Sequence, residues 1–362
     1  MTNSHDSPPC PRPRAYLRAF AALVVLLAGF SRPAGGETLD PGVPARLHTS
    51  LAKGFALGER IDPEGRNQSS VALPKAPRVA WQARVTPPVH GAPLAGADGS
   101  LIVAHGRGRL SELDATGRTR WSVRTGLELA GGPLLLGGGL RVAIGQSGDI
   151  VAVSPAGRVA YREKLAWGEF EGTPIAAPAR DGGAILATGA RLSRLGPRAA
   201  VVWSATTPDP LRAVFEWRGQ ALAVGRNGGV LVRSAAGEPE EIANFRAAVG
   251  RAALAGDRLF AIVGTYRVVE LDLVTRTQRS RFSDPTLGLH ELALGVGATP
   301  RLLSARGVLV SLDAADRELL RLGLVAEGGG GEPAGLLVDP AGTVLAAFAG
   351  APLVLVTAQG DA

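Results

Sequence analysis

The sequence has almost no cysteine and few aromatic residues. Cys10 is the only cysteine among 362 residues, and it precedes an apolar run near the N-terminus. If the first 36 residues are removed, the remaining chain has no thiol, which excludes disulfides, cysteine-ligated metal sites and cysteine nucleophiles. Aromatic residues make up 5% of the chain. The core must therefore consist mainly of Leu, Val, Ala and Ile side chains.

Lysine is also scarce. Only Lys53, Lys75 and Lys164 are lysines among 39 basic residues, and the formal net charge is +7. A ratio this unequal is typical of a biased genome composition rather than of selection for phosphate contacts, so we expect no nucleic-acid partner. Apolar residues at 46% and charged residues at 20% are ordinary for a globular protein.

Signatures of common catalytic sites are missing as well. The sequence has no Gly-x-Ser-x-Gly elbow and no phosphate-binding loop ending in Gly-Lys-Ser or Gly-Lys-Thr. The histidines after the apolar run are His48, His90, His105 and His290, and none has a second ligand at a metal-site spacing. Spacing alone does not test a site assembled from distant segments.

The N-terminus has the pattern of an export signal. Arg12, Arg14 and Arg18 precede an unbroken apolar run of 12 residues at 19–30. This run is shorter than the roughly 20 residues that span a bilayer. Small residues at 34–36 favour cleavage after residue 36, so the sequence predicts a signal peptide and a periplasmic or secreted protein without a membrane span. An uncleaved membrane anchor is the alternative.

The sequence predicts three parts: a signal peptide (1–36), a leader (37–76) and a repeat domain (77–362). The leader fits no repeat and is rich in proline and glycine. We expect it to be extended, and either docked on the domain surface or disordered.

A repeat of about 40 residues extends over the rest of the chain. The residue four places after a turn glycine, or its counterpart in weaker copies, gives anchors at 81, 121, 161, 203, 241, 280 and 321. Each repeat contains four short apolar runs separated by Gly and Asp turns, which is typical of β-strands. Repeats of this length with four strands each predict a β-propeller.

The two ends of the repeat domain predict seven blades. The last repeat has runs for three strands, at 334–340, 343–350 and 352–358, whereas residues 79–85 are a fourth-type strand without a blade of their own. We therefore expect an all-β, seven-bladed propeller of four-stranded blades in which residues 79–85 complete the last blade. Such closure removes exposed sheet edges, which otherwise favour aggregation.

Residues 113–121 (LDATGRTRW) and 270–275 (ELDLVT) share an Asp followed by a Thr, and the first copy ends in Trp. They resemble the motif Ala-x-Asp-x-x-Thr-Gly-x-x-x-Trp of the pyrroloquinoline-quinone-like propeller family, with a turn one residue shorter in the first copy. The resemblance covers residues 76–362. It implies that the anchor aromatics pack between neighbouring blades, namely Trp81, Trp121 and Trp203, with Tyr161 as a substitute.

This resemblance implies two functional classes. Quinone-dependent dehydrogenases bind pyrroloquinoline quinone and calcium at the centre of the ring, are longer chains and often carry a pair of adjacent cysteines. Non-enzymatic envelope propellers include the accessory factor of the outer-membrane β-barrel assembly machinery. The short chain without a cysteine pair favours the second class: a monomeric, non-catalytic scaffold, without cofactor or metal, that binds an envelope protein or peptide. A quinone-dependent periplasmic oxidoreductase is the alternative, and a sugar-binding or sensory module is a third hypothesis.

Candidate binding residues lie in loops on one face of the predicted ring. In a propeller, the connections from fourth to first strands and from second to third strands emerge together around the central channel, and loops on a rigid scaffold are where binding concentrates. Trp167 is the strongest candidate, because it lies in a glycine-containing loop outside the motif position. The other leading candidates are Glu169, Phe170, Arg107, Asp149, Arg226, Tyr266 and His290. The same connections also contain Glu128, Asp209, Arg212, Asn227 and Glu291.

Overall fold

The computed structural model describes residues 66–69, 73, 81–96, 98–165, 167, 172–234, 237–324, 332–349 and 353–357. Within these ranges the chain forms 27 strands and two short 3-10 helices, Gly137–Gly139 and Val296–Ala298. The strands form seven antiparallel sheets, of which six have four strands and one has three. This arrangement confirms the predicted all-β, seven-bladed propeller.

Strands of the first four blades follow one another in chain order across each sheet. Blade 1 contains β1 (Leu94–Ala95), β2 (Leu101–His105), β3 (Arg109–Leu113) and β4 (Thr119–Arg124). Blade 2 contains β5 (Leu134–Leu135), β6 (Arg141–Ile144), β7 (Asp149–Val153) and β8 (Val159–Lys164). Blade 3 contains β9 (Ile175–Pro178), β10 (Ala184–Thr188), β11 (Arg191–Leu195) and β12 (Val201–Thr206). Blade 4 contains β13 (Leu211–Trp217), β14 (Gln220–Gly225), β15 (Gly229–Arg233) and β16 (Glu240–Asn244).

The remaining three blades repeat this plan. Blade 5 contains β17 (Val249–Ala255), β18 (Arg258–Val263), β19 (Arg267–Asp272) and β20 (Gln278–Ser283). Blade 6 contains β21 (Leu289–Leu294), β22 (Pro300–Ser304), β23 (Val308–Leu312) and β24 (Glu318–Gly323). Blade 7 contains β25 (Pro333–Val338), β26 (Val344–Phe348) and β27 (Val354–Val356). The first strand of each blade is the innermost, and the first strands of consecutive blades from β9 to β25 contact one another.

Burial differs between the middle and the outer strands of a blade. The second strands β2 and β10 are buried at every residue. Blades 2 and 4 cover the two faces of β10, whereas blade 2 covers one face of β2 and Trp81, Val85 and Val89 cover the other. Such strands read in the sequence as continuous apolar runs. The fourth strand β12 alternates between half-buried and exposed residues, since one of its faces meets solvent.

Tryptophans fill two of the seams between consecutive blades. A Cβ atom added at Gly157, in the turn before β8, would lie 2.6 Å from the Cγ atom of Trp121 on β4 of the preceding blade. A Cβ atom added at Gly117 would lie 2.7 Å from the ring of Trp81. Trp81 therefore takes the place before blade 1 that Trp121 takes before blade 2, as expected for a residue in the fourth strand of blade 7.

The anchors of blades 3 and 2, Trp203 and Tyr161, differ from these two. The guanidinium of Arg233 lies 3.8 Å from the ring centroid of Trp203, so this ring is covered by a cation from blade 4. Tyr161 is 44% exposed. Its ring therefore takes up less of the seam between blades 2 and 3 than a buried aromatic would.

The observed strand pairing places three of the anchors one residue away from their predicted positions. Trp121 pairs with Glu112, the fourth residue of β3. The residues that pair with the fourth residue of the third strand in blades 4, 5 and 6 are Glu240, Arg279 and Leu320, rather than residues 241, 280 and 321. The predicted anchors were wrong here because turn lengths and β-bulge positions differ between blades.

Part of the predicted leader is docked between blades 6 and 7. The amide of Leu294, which ends β21, donates to the carbonyl oxygen of Arg66 at 2.8 Å, and that of Val338, which ends β25, donates to Asn67 at 3.0 Å. The amide of Leu73 donates to the carboxylate of Asp339 at 2.8 Å. Closure of blade 7 by residues 79–85 stays a prediction, since no ladder pairing joins residues 81–85 to β27 among the described residues.

Candidate functional site

Backbone hydrogen bonds unite the two sets of loops that the sequence analysis placed on one face. In blade 2, the amide of Gln146 in the second-to-third turn donates to the carbonyl of Glu128 in the preceding connection at 2.7 Å. Arg226 donates to Pro210 in the same way in blade 4, also at 2.7 Å. This face of the ring, which we call the channel-mouth face, is therefore built by the pairing of each loop with its neighbour.

Five charged or titratable side chains meet where the innermost strands of blades 4 to 7 begin at this face. We call them the channel-mouth cluster; they are Arg212 on β13, Arg251 on β17, His290 and Glu291 on β21, and Glu332 just before β25. Because each residue is at the start of an innermost strand, the repeat of the fold brings them together although they are spread over 121 positions of the sequence.

Contacts in the cluster pass from blade to blade. Arg212 donates to the carbonyl oxygen of Gly250 in blade 5. Arg251 contacts Glu291 in blade 6 at 2.7 Å, and His290 Nε2 lies 3.7 Å from a carboxylate oxygen of Glu332, which precedes blade 7. The cluster therefore connects four consecutive blades through side chains.

Glu291 is the most deeply buried member of the cluster. Burial raises the pKa of its carboxyl, but the Arg251 guanidinium and the contact with His290 lower it by more, so the pKa lies below its ordinary value. The group is therefore an anion at neutral pH, which accepts hydrogen bonds from Arg251 and lies 3.2 Å from His290 Nδ1. Arg212 and Glu332 are exposed at the surface and present one charge of each sign to solvent.

The predicted candidates take different places in the structure. Trp167 is 4% exposed and packs with Leu165 and core residues of blades 2 and 3. The expectation that this tryptophan lies at the binding surface because it is outside the motif position is wrong, since the core residues of blades 2 and 3 bury the indole. Glu169 and Phe170 lie outside the described residues.

The remaining candidates lie on the channel-mouth face. Arg107, Arg226 and Tyr266 are exposed in second-to-third turns, and Asp149 is half-buried at the start of β7. Among the described residues, His290 is the leading candidate that belongs to the channel-mouth cluster, through its approach to Glu332. The roles of these residues in binding stay predictions.

Arg251 was missed by the sequence analysis. It lies within β17 rather than in a loop, so a search restricted to connections does not find it. The signal that could have found it is the period itself, because Arg251 and its partner Glu291 are 40 residues apart, which is one repeat.

The family resemblance makes pyrroloquinoline quinone and calcium candidate ligands of the central channel. The side chains of the channel-mouth cluster do not fit them. Calcium takes six to eight oxygen ligands, with carboxylates supplying the charge. The buried carboxylate of the channel-mouth cluster, that of Glu291, is paired with the Arg251 guanidinium at 2.7 Å, which compensates its charge. Among the described residues, no group of three or more His, Asp or Glu side chains could hold a metal ion. We derive no step through this cofactor.

The seven sheets and the repeat motif define a β-propeller of pyrroloquinoline-quinone-like repeats. A family model described as outer membrane protein assembly factor BamB matches residues 76–322, and the chain belongs to this family. No curated protein sequence matches the chain significantly.

Solved structures show the same fold at low sequence identity. BamB from Moraxella catarrhalis is 18% identical with a TM-score of 0.58, over 78% of this chain and 88% of that chain. The C-terminal WD40 domain of Sif2 is 12% identical with a TM-score of 0.62, over 79% and 87%. The dihydro-heme d1 dehydrogenase NirN is 14% identical with a TM-score of 0.57, over 72% and 61%. These likenesses concern the fold alone. In the described ranges, no helix has the length and apolar character needed to cross a membrane.

Proposed function

We propose that the protein is an exported, non-catalytic propeller that acts as a monomeric scaffold in the cell envelope and binds a protein or peptide at its channel-mouth face. The observation that carries the proposal is the match to the outer membrane protein assembly factor family over residues 76–322. The predicted signal peptide supports export to the same compartment.

The channel-mouth cluster supports the position of the site. Its exposed members, Arg212 and Glu332, carry opposite charges, which suits a segment that itself carries both signs. Complementary charges at a binding face mainly accelerate encounter and select the partner. The buried pair Arg251–Glu291 fixes the inner strands of blades 5 and 6, so the exposed charges project from a rigid support.

A charge reversal on this face tests the proposal. Wild-type protein, Arg212→Glu and the control Arg118→Glu are expressed in cells of the source organism, cross-linked in intact cells and purified with their partners. Arg118 is exposed in the third-to-fourth turn of blade 1, on the opposite face of the ring. We expect a reproducible envelope partner whose yield falls at least fivefold in Arg212→Glu and stays unchanged in Arg118→Glu.

Two results would contradict the proposal. One is the absence of any reproducible partner for the wild-type protein. The other is equal recovery of the partner by all three proteins, which would place the binding site elsewhere on the ring.

A further inference from the structure

At the seam between blades 4 and 5, the fourth strand has no tryptophan at the position that Trp121 takes between blades 1 and 2, and the tryptophan that lines this seam, Trp217, comes from the end of β13. Trp121 pairs with the fourth residue of β3, and Glu240 pairs with Val232, the fourth residue of β15. A carboxylate thus takes the register position of the indole. On the other side of the seam, Arg276, with a φ of 60°, lies in the third-to-fourth turn of blade 5, where Gly157 lies in blade 2.

An open groove of about 380 Å³ lies at this seam. A water molecule occupies about 30 Å³ of liquid, so the groove has room for a large side chain. Apolar groups form part of its lining, namely Trp217, Val232, Ile242 and Leu273. We call this space, together with its rim, the seam groove.

Hydrogen bonds to Asp257 of blade 5 hold two members of the apolar lining in place. The indole nitrogen of Trp217 donates to the carboxylate of Asp257 at 2.8 Å, which satisfies the polar edge of the ring. Arg218 binds the same carboxylate at 2.8 Å. Leu273 is buried, and its amide donates to the carbonyl oxygen of Asp257. The groove is therefore a preformed feature of two blades.

The rim of the seam groove carries more negative than positive charge. Glu238, Glu240 and Arg276 line it. Glu240 and Arg276 lie 3.7 Å apart with side chains that are 71% and 56% exposed. An ion pair this exposed contributes little to stability, so an incoming group can displace it at small cost.

We propose that the seam groove binds an aromatic side chain of an extended peptide segment of a partner protein, flanked by Lys or Arg. We choose an aromatic side chain because Trp121 and Trp81 of the protein itself fill the equivalent positions at other seams. The acidic rim supplies the charge complementarity for the flanking basic residue. Aromatic anchors in pockets commonly dominate such interfaces. The site is formed by the first-to-second and third-to-fourth turns, on the face opposite the channel-mouth cluster, so it is independent of the function proposed above.

The probe is a fluorescein-labelled peptide of sequence Ser-Lys-Trp-Lys-Ser, compared with the same peptide carrying Ala for Trp and with one carrying Glu for both Lys. Fluorescence polarisation is measured with the full chain, with Glu240→Lys and with Glu163→Lys. Glu163 is exposed on the fourth strand of blade 2 and gives a matched charge control. Thermal unfolding of each variant confirms that it is folded.

We expect saturable binding of the Trp peptide, weakened at least tenfold by either peptide change and by Glu240→Lys, and unchanged by Glu163→Lys. Absence of saturable binding up to millimolar protein, or equal binding of the Trp and Ala peptides, would overturn the proposal. Equal weakening by Glu240→Lys and Glu163→Lys would also overturn it, because the effect would then be one of net charge. Arg212→Glu should leave this binding unchanged, which separates it from binding at the channel-mouth face.

Discussion

The seam between blades 1 and 2 and the seam between blades 4 and 5 occupy equivalent places in the propeller but are filled differently. In the first, Trp121 lies so close to Gly157 that no Cβ atom fits between them. In the second, Glu240 and Arg276 face each other at 3.7 Å beside an open groove. The same backbone plan therefore tolerates either a packed aromatic or a solvated ion pair between blades.

A third solution occurs between blades 5 and 6. Arg281 on β20 is buried and forms ion pairs with Glu270 in its own blade and with Asp316 in the third-to-fourth turn of blade 6. Asp316, with a φ of 67°, takes the turn position of Gly117 in blade 1. At this seam the Arg281 guanidinium is buried and paired with a carboxylate from each of the two blades. Between blades 4 and 5 the charged side chains of Glu240 and Arg276 remain exposed. The residue pair at a seam therefore decides whether the seam is closed.

The largest expected difference between the two seams is in stability. Trp121→Ala removes a ring that packs against blade 2 and should lower the free energy of unfolding by about 3 to 4 kcal/mol. Glu240→Ala, at the equivalent register position, should change it by less than about 0.5 kcal/mol, because its ion pair is exposed. Urea denaturation followed by circular dichroism measures both. Equal losses of unfolding free energy in the two variants would show that the two seams do not differ in their contribution to stability.

A substitution at Gly157 tests whether the packing of Trp121 in its seam requires a residue without a side chain at position 157. Gly157→Ala adds a Cβ atom at a φ of 73° and against Trp121, and should cost about 2 to 3 kcal/mol of unfolding free energy. Gly126→Ala is the control, since Gly126 has a φ of 77° but no atom within 4 Å of the added Cβ. It should lose only about 1 kcal/mol. In the Trp121→Ala background the cost at residue 157 should fall towards that of Gly126→Ala, and a cost that stays at about 2 to 3 kcal/mol would show that the ring is not its cause.

The pair Arg251–Glu291 places a buried carboxylate at the inner end of the seam between blades 5 and 6. Because the pKa of Glu291 is lowered on folding, its contribution to stability is full above its ordinary pKa of 4.5 and is lost as the pH falls below that value. Glu291→Gln should therefore lower the unfolding free energy by about 2 kcal/mol at pH 7 and by less at acidic pH. Thermal unfolding of both proteins at several pH values checks the sign. A difference that grows on acidification would contradict it.

Much of the fold could be predicted from the sequence. The runs predicted at 334–340, 343–350 and 352–358 correspond to β25, β26 and β27 within two residues of their expected bounds. This worked because tight turns depend on local residue types and middle strands are apolar throughout. The anchors in blades 4, 5 and 6 were displaced by one residue, because β-bulges shift the register and carry no strong local signal.

The candidate site could be predicted only in outline. The loops that build the channel-mouth face follow from the order of strands, whereas His290, expected in a connection, lies at the start of β21. Arg251 and the seam groove were not anticipated, since both depend on which side chains of different blades face each other. Trp167 was placed on the surface because loop position in the sequence does not reveal whether a side chain turns back into the core.

The repeat length, the strand runs within the repeats and the number of blades follow from the sequence, because hydrophobic runs and turn residues are local properties of the chain. What lies between blades depends on the packing of whole sheets: an indole against a glycine, a buried guanidinium between carboxylates, or an open groove with an acidic rim. These contacts join residues about 40 positions apart, such as Trp121 with Gly157 and Arg251 with Glu291, and their geometry depends on how whole sheets pack.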